Sequence, residues 1–298
     1  MNCSLLSCSP VGLLRDRRVS LARIVAGWMM VAASAAQAQA PAPPTVSTPP
    51  LPLWELGVFA VTASQQAYPG ASQQTSRSIV LPFGVYRGQF LRADRGTFGV
   101  RAVKTPEFEI DVGFGGSLGS DSDRIEVRRG MPDLGTLVEA GPRLKWNLNG
   151  DDGAGRLRAE FPLRGVFDIS DGFRYKGLSF EPELTYEARA SQGWRWSAGA
   201  GLVAGNRRLT DVLYGVAPQF ATPERAAFDA RAGLIAWRVS GTVSYLITPD
   251  LRLIGFARAD TVAGAANRAS PLVQQRTGVS GGIALSYTLF RSSSPAVD

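Results

Sequence analysis

Between Leu137 and Gly205 the chain alternates apolar and polar residues through four consecutive segments, with turns between them and no helical period. In Leu137 to Leu148, Val138, Ala140, Pro142, Leu144, Trp146 and Leu148 fall on one side, and Glu139, Gly141, Arg143, Lys145 and Asn147 on the other. The second segment sets Leu157, Ala159, Phe161, Leu163 and Phe167 against Arg156, Arg158, Glu160 and Arg164. The third sets Leu178, Phe180, Leu184 and Tyr186 against Ser179, Glu181, Glu183, Thr185, Glu187 and Arg189. The fourth sets Trp194, Trp196, Ala198, Ala200 and Leu202 against Arg195, Ser197, Gly199 and Gly201. Successive side chains of a strand point to opposite faces, so each segment is a strand with one greasy and one polar side.

Length separates the two architectures that alternation allows. Each segment runs for about 10 residues, roughly the 9 to 11 that a tilted membrane-crossing strand needs, whereas strands of soluble domains cluster near about 5 or 6. The ionic faces argue the same way. Glu181, Glu183 and Glu187 beside Arg156, Arg158 and Arg164 would be costly in a dry sandwich core, but they suit a wet or salt-bridged lumen. The fold class expected is therefore all-β, an antiparallel transmembrane β-barrel. No apolar run of 18 residues exists in the sequence, so a transmembrane helix is not expected.

The first 40 residues are of another kind. Arg15, Arg17, Arg18 and Arg23 precede an apolar run from Ile24 to Ala36, and Ala36-Gln37-Ala38 and Ala38-Gln39-Ala40 follow. That order is a secretory signal peptide, 1–40, cleaved after Ala38 or Ala40. Residues 41–53, rich in Pro, Thr and Ser, read as an extended periplasmic tether. The barrel is expected over 54–290, with a short tail at 291–298. Cys3 and Cys8 fall in the leader, which leaves neither disulfides nor thiolate ligands in the exported chain. Removing four Arg and one Asp with the leader lowers the net charge from +7 to +4. The remaining basic residues are scattered at alternate strand positions, so nucleic acid is not an expected partner.

Taken in order, strands are expected at Trp54–Thr62, Ile79–Leu91 (with a bulge or bend at Pro82), Phe108–Gly116, the four segments already described, Trp237–Ile247, Leu251–Asp260 and Gly278–Phe290. The count is ten, or twelve if Thr97–Lys104 and Phe228–Leu234 are separate strands; both are even, as in bacterial single-chain barrels. Placing both ends in the periplasm puts the long loops at 63–78, 117–134, 206–234 and 261–275 outside. Short turns then lie inside, which is the asymmetry such barrels show. Trp54, Trp146, Trp194, Trp196 and Tyr287 gather near the periplasmic strand ends, where an aromatic girdle meets outer-membrane lipid.

Several short motifs sit at the loops and strand ends. They are Tyr68-Pro69-Gly70, Leu81-Pro82, Tyr86-Arg87-Gly88, Gly130-Met131-Pro132-Asp133, Glu139-Ala140-Gly141-Pro142, Tyr214-Gly215-Val216, Arg225 and Ser270-Pro271-Leu272-Val273. In this order they resemble the pattern of the MltA-interacting protein family, MipA/OmpV, across about residues 54 to 290; Ala71 and Phe228 stand where the pattern has Ser and Tyr. Ser280-x-Gly282-x-x-Leu285-x-Tyr287 is similar to the terminal code read by the barrel-assembly machinery. The resemblance implies an outer-membrane scaffold that brings a lytic transglycosylase together with a murein synthase. A small-solute channel and a surface adhesin are the alternatives.

The chain has no histidine, which removes the base used by outer-membrane phospholipases, lipid A deacylases and omptin-type proteases. Without His or mature Cys, zinc and most transition-metal sites are also disfavoured. Asp121 and Asp123 have Arg124, Arg128 and Arg129 beside them, a poor setting for Ca²⁺. Neither a cofactor nor a catalytic residue is expected. The lumen charges Arg156, Arg158, Arg164, Glu181, Glu183 and Glu187 read as a cross-strand zipper, and the loop motifs read as packing over the barrel mouth.

Overall fold

The computed structural model describes residues 51–87, 91–94, 97–100, 103–105, 107–117, 119–149, 155–189 and 193–296. The expected signal peptide and the tether as far as residue 50 lie outside them. Fourteen strands form one antiparallel sheet: β1 (Trp54–Gln66), β2 (Gln74–Arg87), β3 (Leu91–Asp94), β4 (Thr97–Val100), β5 (Val103–Lys104), β6 (Phe108–Ser117), β7 (Leu137–Asn147), β8 (Arg156–Asp168), β9 (Arg174–Phe180), β10 (Glu183–Arg189), β11 (Trp194–Gly205), β12 (Gly233–Leu246), β13 (Leu251–Thr261) and β14 (Thr277–Arg291). Neighbouring strands follow the path β4-β3-β2-β1-β14-β13-β12-β11-β10-β8-β7-β6-β5, with β9 bonded to β8 and β11. The two ends of this path, β4 and β5, are successive pieces of chain, and β4 also runs alongside β6. A sheet whose ends meet in this way is a barrel.

Ten of its walls are long. β9 and β10 are one wall interrupted at Glu181-Pro182, and β4 with β5 is a second composite wall, so with β3 the described residues make twelve. Twelve is reached differently from the sequence expectation. Phe228 makes only an isolated bridge to Val216, and Gly233 and Leu234 open β12. One of the two expected extras is present, Thr97–Lys104 as β4–β5; the other extra wall is β3, in place of Phe228–Leu234 and where a turn was expected at 92–96. β3 bonds to β2 only at Tyr86↔Ala93 and Arg87↔Arg92.

Two further expectations are corrected. The loop placed at 63–78 shrinks to 67–73, because the polar ends of β1 and β2 stay in register from Thr62↔Ser78 to Gln66↔Gln74. Hydroxyl and amide bonds hold them there, including Thr62 Oγ1 to Ser78 Oγ at 2.9 Å and Ser64 Oγ donating to Gln74 at 2.6 Å. Alternation fades at a polar rim while the ladder continues. Pro82 makes no bulge: it lies opposite Val58 in an unbroken register. β2's other edge is covered by β3 only near Arg87, so the missing N–H deprives no described partner. The register shift falls instead in β1, between Leu56 and Gly57.

Outward faces are greasy: Val80, Ile283, Val279 and Val239 are 68%, 63%, 58% and 56% exposed. Trp54, Trp146, Trp194, Trp196 and Tyr287 are exposed at the short-turn end. There Phe108 stacks on Trp146, and Trp194 lies against Tyr245 with ring centres 4.7 Å apart. Residues 294–296 of the expected tail are tied to the segment before β1. Leu53 N donates to Ser294 O at 2.8 Å and Ala296 N to Leu51 O at 2.7 Å, so residues 51–53 and 294–296 extend the β1–β14 ladder past the barrel.

Candidate functional site

At the long-loop end the segments 67–73, 119–136, 206–232 and 262–276 pack on one another as a cap. Its buried centre joins Tyr68, Ile125, Leu134, Leu209, Tyr214, Val216 and Leu272. The helix α1 (Arg207–Tyr214) supplies part of it. Asn206 starts that helix by accepting from Leu209 N at 3.1 Å, and Gly215 ends it by donating to Asp211 O at 2.9 Å. The segment was expected to be loop throughout. Asn206 at one end and Gly215 at the other are the signal that would have found the helix.

The motif residues meet in this cap. Tyr68 Oη donates to Leu272 O at 2.8 Å, Tyr214 Oη to Pro69 O at 2.9 Å, and the two rings pack edge-on at 6.0 Å. Burial pushes Tyr68 up to about 12, and Tyr214 is raised further by burial and by Tyr68. Gly70, at φ +94°, offers its carbonyl to Gln274 N and Gln275 N; Val273 packs where a Cβ would point. Ser270 Oγ donates to Tyr214 O at 2.7 Å.

Gly130-Met131-Pro132-Asp133 is a second clasp. Asp133 accepts from Ser122 N at 2.7 Å, Pro132 O accepts from Ser122 Oγ at 2.7 Å, and Met131 N donates to Arg128 O at 2.8 Å. Gly130 takes φ +77° to turn the chain. Arg128, which sequence reading placed only in a charged loop, is buried here. It donates to Val212 O, Leu213 O and Pro132 O at 3.3–3.4 Å and lies 5.8 Å from the Tyr68 ring centre. Burial lowers its pKa from the ordinary arginine value. Arg225 binds Phe220 O twice, at 2.9 and 2.7 Å, and reaches Val127 O and Arg129 O.

The remaining motif residues lie elsewhere. Tyr86 is exposed at the short-turn end, and Arg87 beside it is buried against Glu55 at 2.8 Å and Pro52 O at 2.9 Å. Glu139 faces the lumen, Gly141 lies where a Cβ would strike the β8 backbone, and Pro142 sits opposite Val112. On β14, Leu285 and Tyr287 face outward, while Gly282 leaves room for the Phe256 ring.

The lumen holds two strings of ion pairs. Asp111 takes Arg143 through Nε and Nη2, both at 2.9 Å, and Lys145 at 2.7 Å. Arg143 continues to Glu160, Glu160 to Arg158, and Arg158 to Glu187. In the second string Arg164 lies between Glu139 and Glu181, Glu181 touches Arg238, and Arg238 grips Asp260 at 2.7 and 3.2 Å. Within the charge set read from the sequence, Arg158 lies 3.5 Å from Glu187 and Arg164 3.5 Å from Glu181. Arg156 lies opposite Glu187 in the ladder, whereas Glu183 accepts from Ser240 at 2.6 Å across β11. That reach exists because β11 carries glycine there: a Cβ on Gly199 would collide with the Glu183 carboxylate. Asp111, Arg143, Lys145, Arg238 and Asp260 were not singled out from sequence, because strand pairing, not spacing, brings them together.

Residues 56–289 match the family model described as MltA-interacting protein MipA. Among solved structures, an active-site mutant of outer membrane phospholipase A from Escherichia coli aligns at 12% identity and TM-score 0.34, covering 84% of this chain and 94% of that one. An outer membrane channel from Pseudomonas putida F1 aligns at 12% identity and TM-score 0.34, covering 83% and 99%. No curated protein matches.

Proposed function

The chain belongs to the MltA-interacting protein MipA family and is an outer-membrane β-barrel; from that premise we propose that it is a non-enzymatic scaffold, holding a lytic transglycosylase and a murein synthase together at the periplasmic face. The observation that carries this reading is the family match over 56–289, which takes in all but the first two and last two residues of the barrel strands. Two features of the molecule favour it. The long-loop mouth is packed with buried aromatic and aliphatic side chains, and the lumen charges are largely spent on one another rather than presented to a passing ion. The chain also has no histidine to serve as a hydrolytic base.

The test is an affinity purification from native envelopes after brief crosslinking. A lytic transglycosylase and a murein synthase are expected to co-purify with the wild-type barrel, and their absence would refute the scaffold. Planar-bilayer recordings are expected to show no steady single-channel steps; regular steps would favour the small-solute channel.

A further inference from the structure

The lumen is not charged all round. On β1 and β2 the face that carries the Glu55–Arg87 pair also carries Gly57, Phe59 and Val61 opposite Phe83, Leu81 and Ile79. The same face continues through Ala284 and Gly282 on β14 to Ile254 and Phe256 on β13; one step towards the short-turn end it becomes polar at Ser286 and Arg252, whose guanidinium donates to Ser244 Oγ. The ion-pair strings occupy the rest of the lumen, from β6 round to Asp260 on β13. The wall is not filled: Leu81 is 51% and Phe256 37% exposed, although both point inward. Residues 79–85 alone give it a height of roughly 20 Å at the rise of an extended strand. A bare apolar wall of that height in a wet lumen is unfavourable, and covering it with hydrocarbon removes the cost.

Arg258 stands at the head of the wall, two residues beyond Phe256 on the same face. Its contact with Asp260 is long, 3.6 Å, and Arg238 already occupies that carboxylate through two bonds. Its Nε has no hydrogen-bond partner among the described residues, while the side chain is still 36% exposed. We infer that the lumen binds a single-chain anionic amphiphile, the acyl chain against Leu81, Phe83, Phe59 and Phe256 and the negatively charged head on Arg258. A long-chain carboxylate and a lysophospholipid share this chemistry.

The test uses the full barrel in nanodiscs of zwitterionic lipid, photolabelled with a diazirine-bearing oleate and mapped by mass spectrometry. Labels are expected on the inward residues of β2 and β13. Unlabelled oleate or lysophosphatidylglycerol should compete, whichever is the natural source binding better, and an alkylamine of equal chain length should not. Arg258→Gln and Leu81→Asp are each expected to lower inward labelling at least tenfold, and Arg258→Lys to retain most of it. Each variant is checked for heat-modifiable gel mobility, so a misfolded barrel is not counted. Labels confined to outward residues such as Val80 and Ile283, equal competition by the amine, or an inward wall covered by residues 41–50 would overturn the inference.

Discussion

Arg128 is a full positive charge set among carbonyl oxygens rather than carboxylates, and three loops meet on it. Its pKa is lowered because burial penalises the cation, and the cost of keeping it charged is offset by those carbonyls together with Ser122 Oγ, the Tyr68 ring and the nearby Asp133 carboxylate. Arg128→Ala is therefore expected to loosen the cap by about 2–3 kcal/mol. Limited proteolysis should then cut 206–232 much faster while the barrel keeps its heat-modifiable mobility; unchanged cleavage would show that the clasp is not held by this residue. Tyr68 makes the cap alkali-sensitive. Its folded pKa, about 12, lies above the ordinary value of 10.0, so ionisation favours the open cap. The contribution is complete below pH 10 and is lost as pH rises from 10 towards 12. Proteolysis across that interval should accelerate. Tyr68→Phe should cost about 1 kcal/mol at neutral pH, through the bond to Leu272 O, and reduce the alkaline loss to the part that Tyr214 contributes.

Among the elements, long two-faced strands were legible because their period persists over a whole membrane crossing, and β7, β8 and β11 begin and end close to where alternation does. What escaped were pieces whose residues answer to neighbours rather than to a period. The ends of β1 and β2 are polar but laddered, Pro182 splits a wall that still alternates, and α1 is eight residues long. Only its caps mark it, and Asn206→Ala should destabilise the helix by about 1 kcal/mol, visible as faster amide exchange at 207–214. The short β3–β4 hairpin leaves β2 and the chain after β6 to be tied by side chains: Thr75 Oγ1 lies 2.8 Å from Ser120 Oγ, and Arg77 donates to Gly119 O. The sequence has no cysteine after Cys8. A Thr75→Cys, Ser120→Cys pair should accordingly oxidise in intact cells and shift on a non-reducing gel, and failure to crosslink would place these two segments apart.

Across the whole molecule, one barrel is divided into a packed cap, an ion-paired half-lumen, an apolar half-lumen and a short-turn rim of exposed aromatics. The cap residues Tyr68, Gly130, Tyr214 and Ser270 could be picked out as motifs, but their convergence depends on loops far apart in sequence. The ion pairs were half visible for the same reason, since Arg238 and Asp260 become partners only through the β12–β13 register. That pairing is structural in effect. Asp111→Ala, which takes the most buried carboxylate from Arg143 and Lys145 and leaves them Glu160 and Glu109, should cost about 3 kcal/mol in urea unfolding from lipid vesicles, whereas replacing Asp111 and Arg143 together by Leu should cost less. The scaffold reading puts partners at the short-turn rim, with the capped mouth turned away from them. A photo-crosslinking residue placed at Thr248 in the turn between β12 and β13, and separately at Glu224 in the cap, tests this most directly in living cells. Adducts with a murein hydrolase or synthase are expected from position 248 and none from 224; adducts from 224 alone, or from neither, would rule out partners at the short-turn rim.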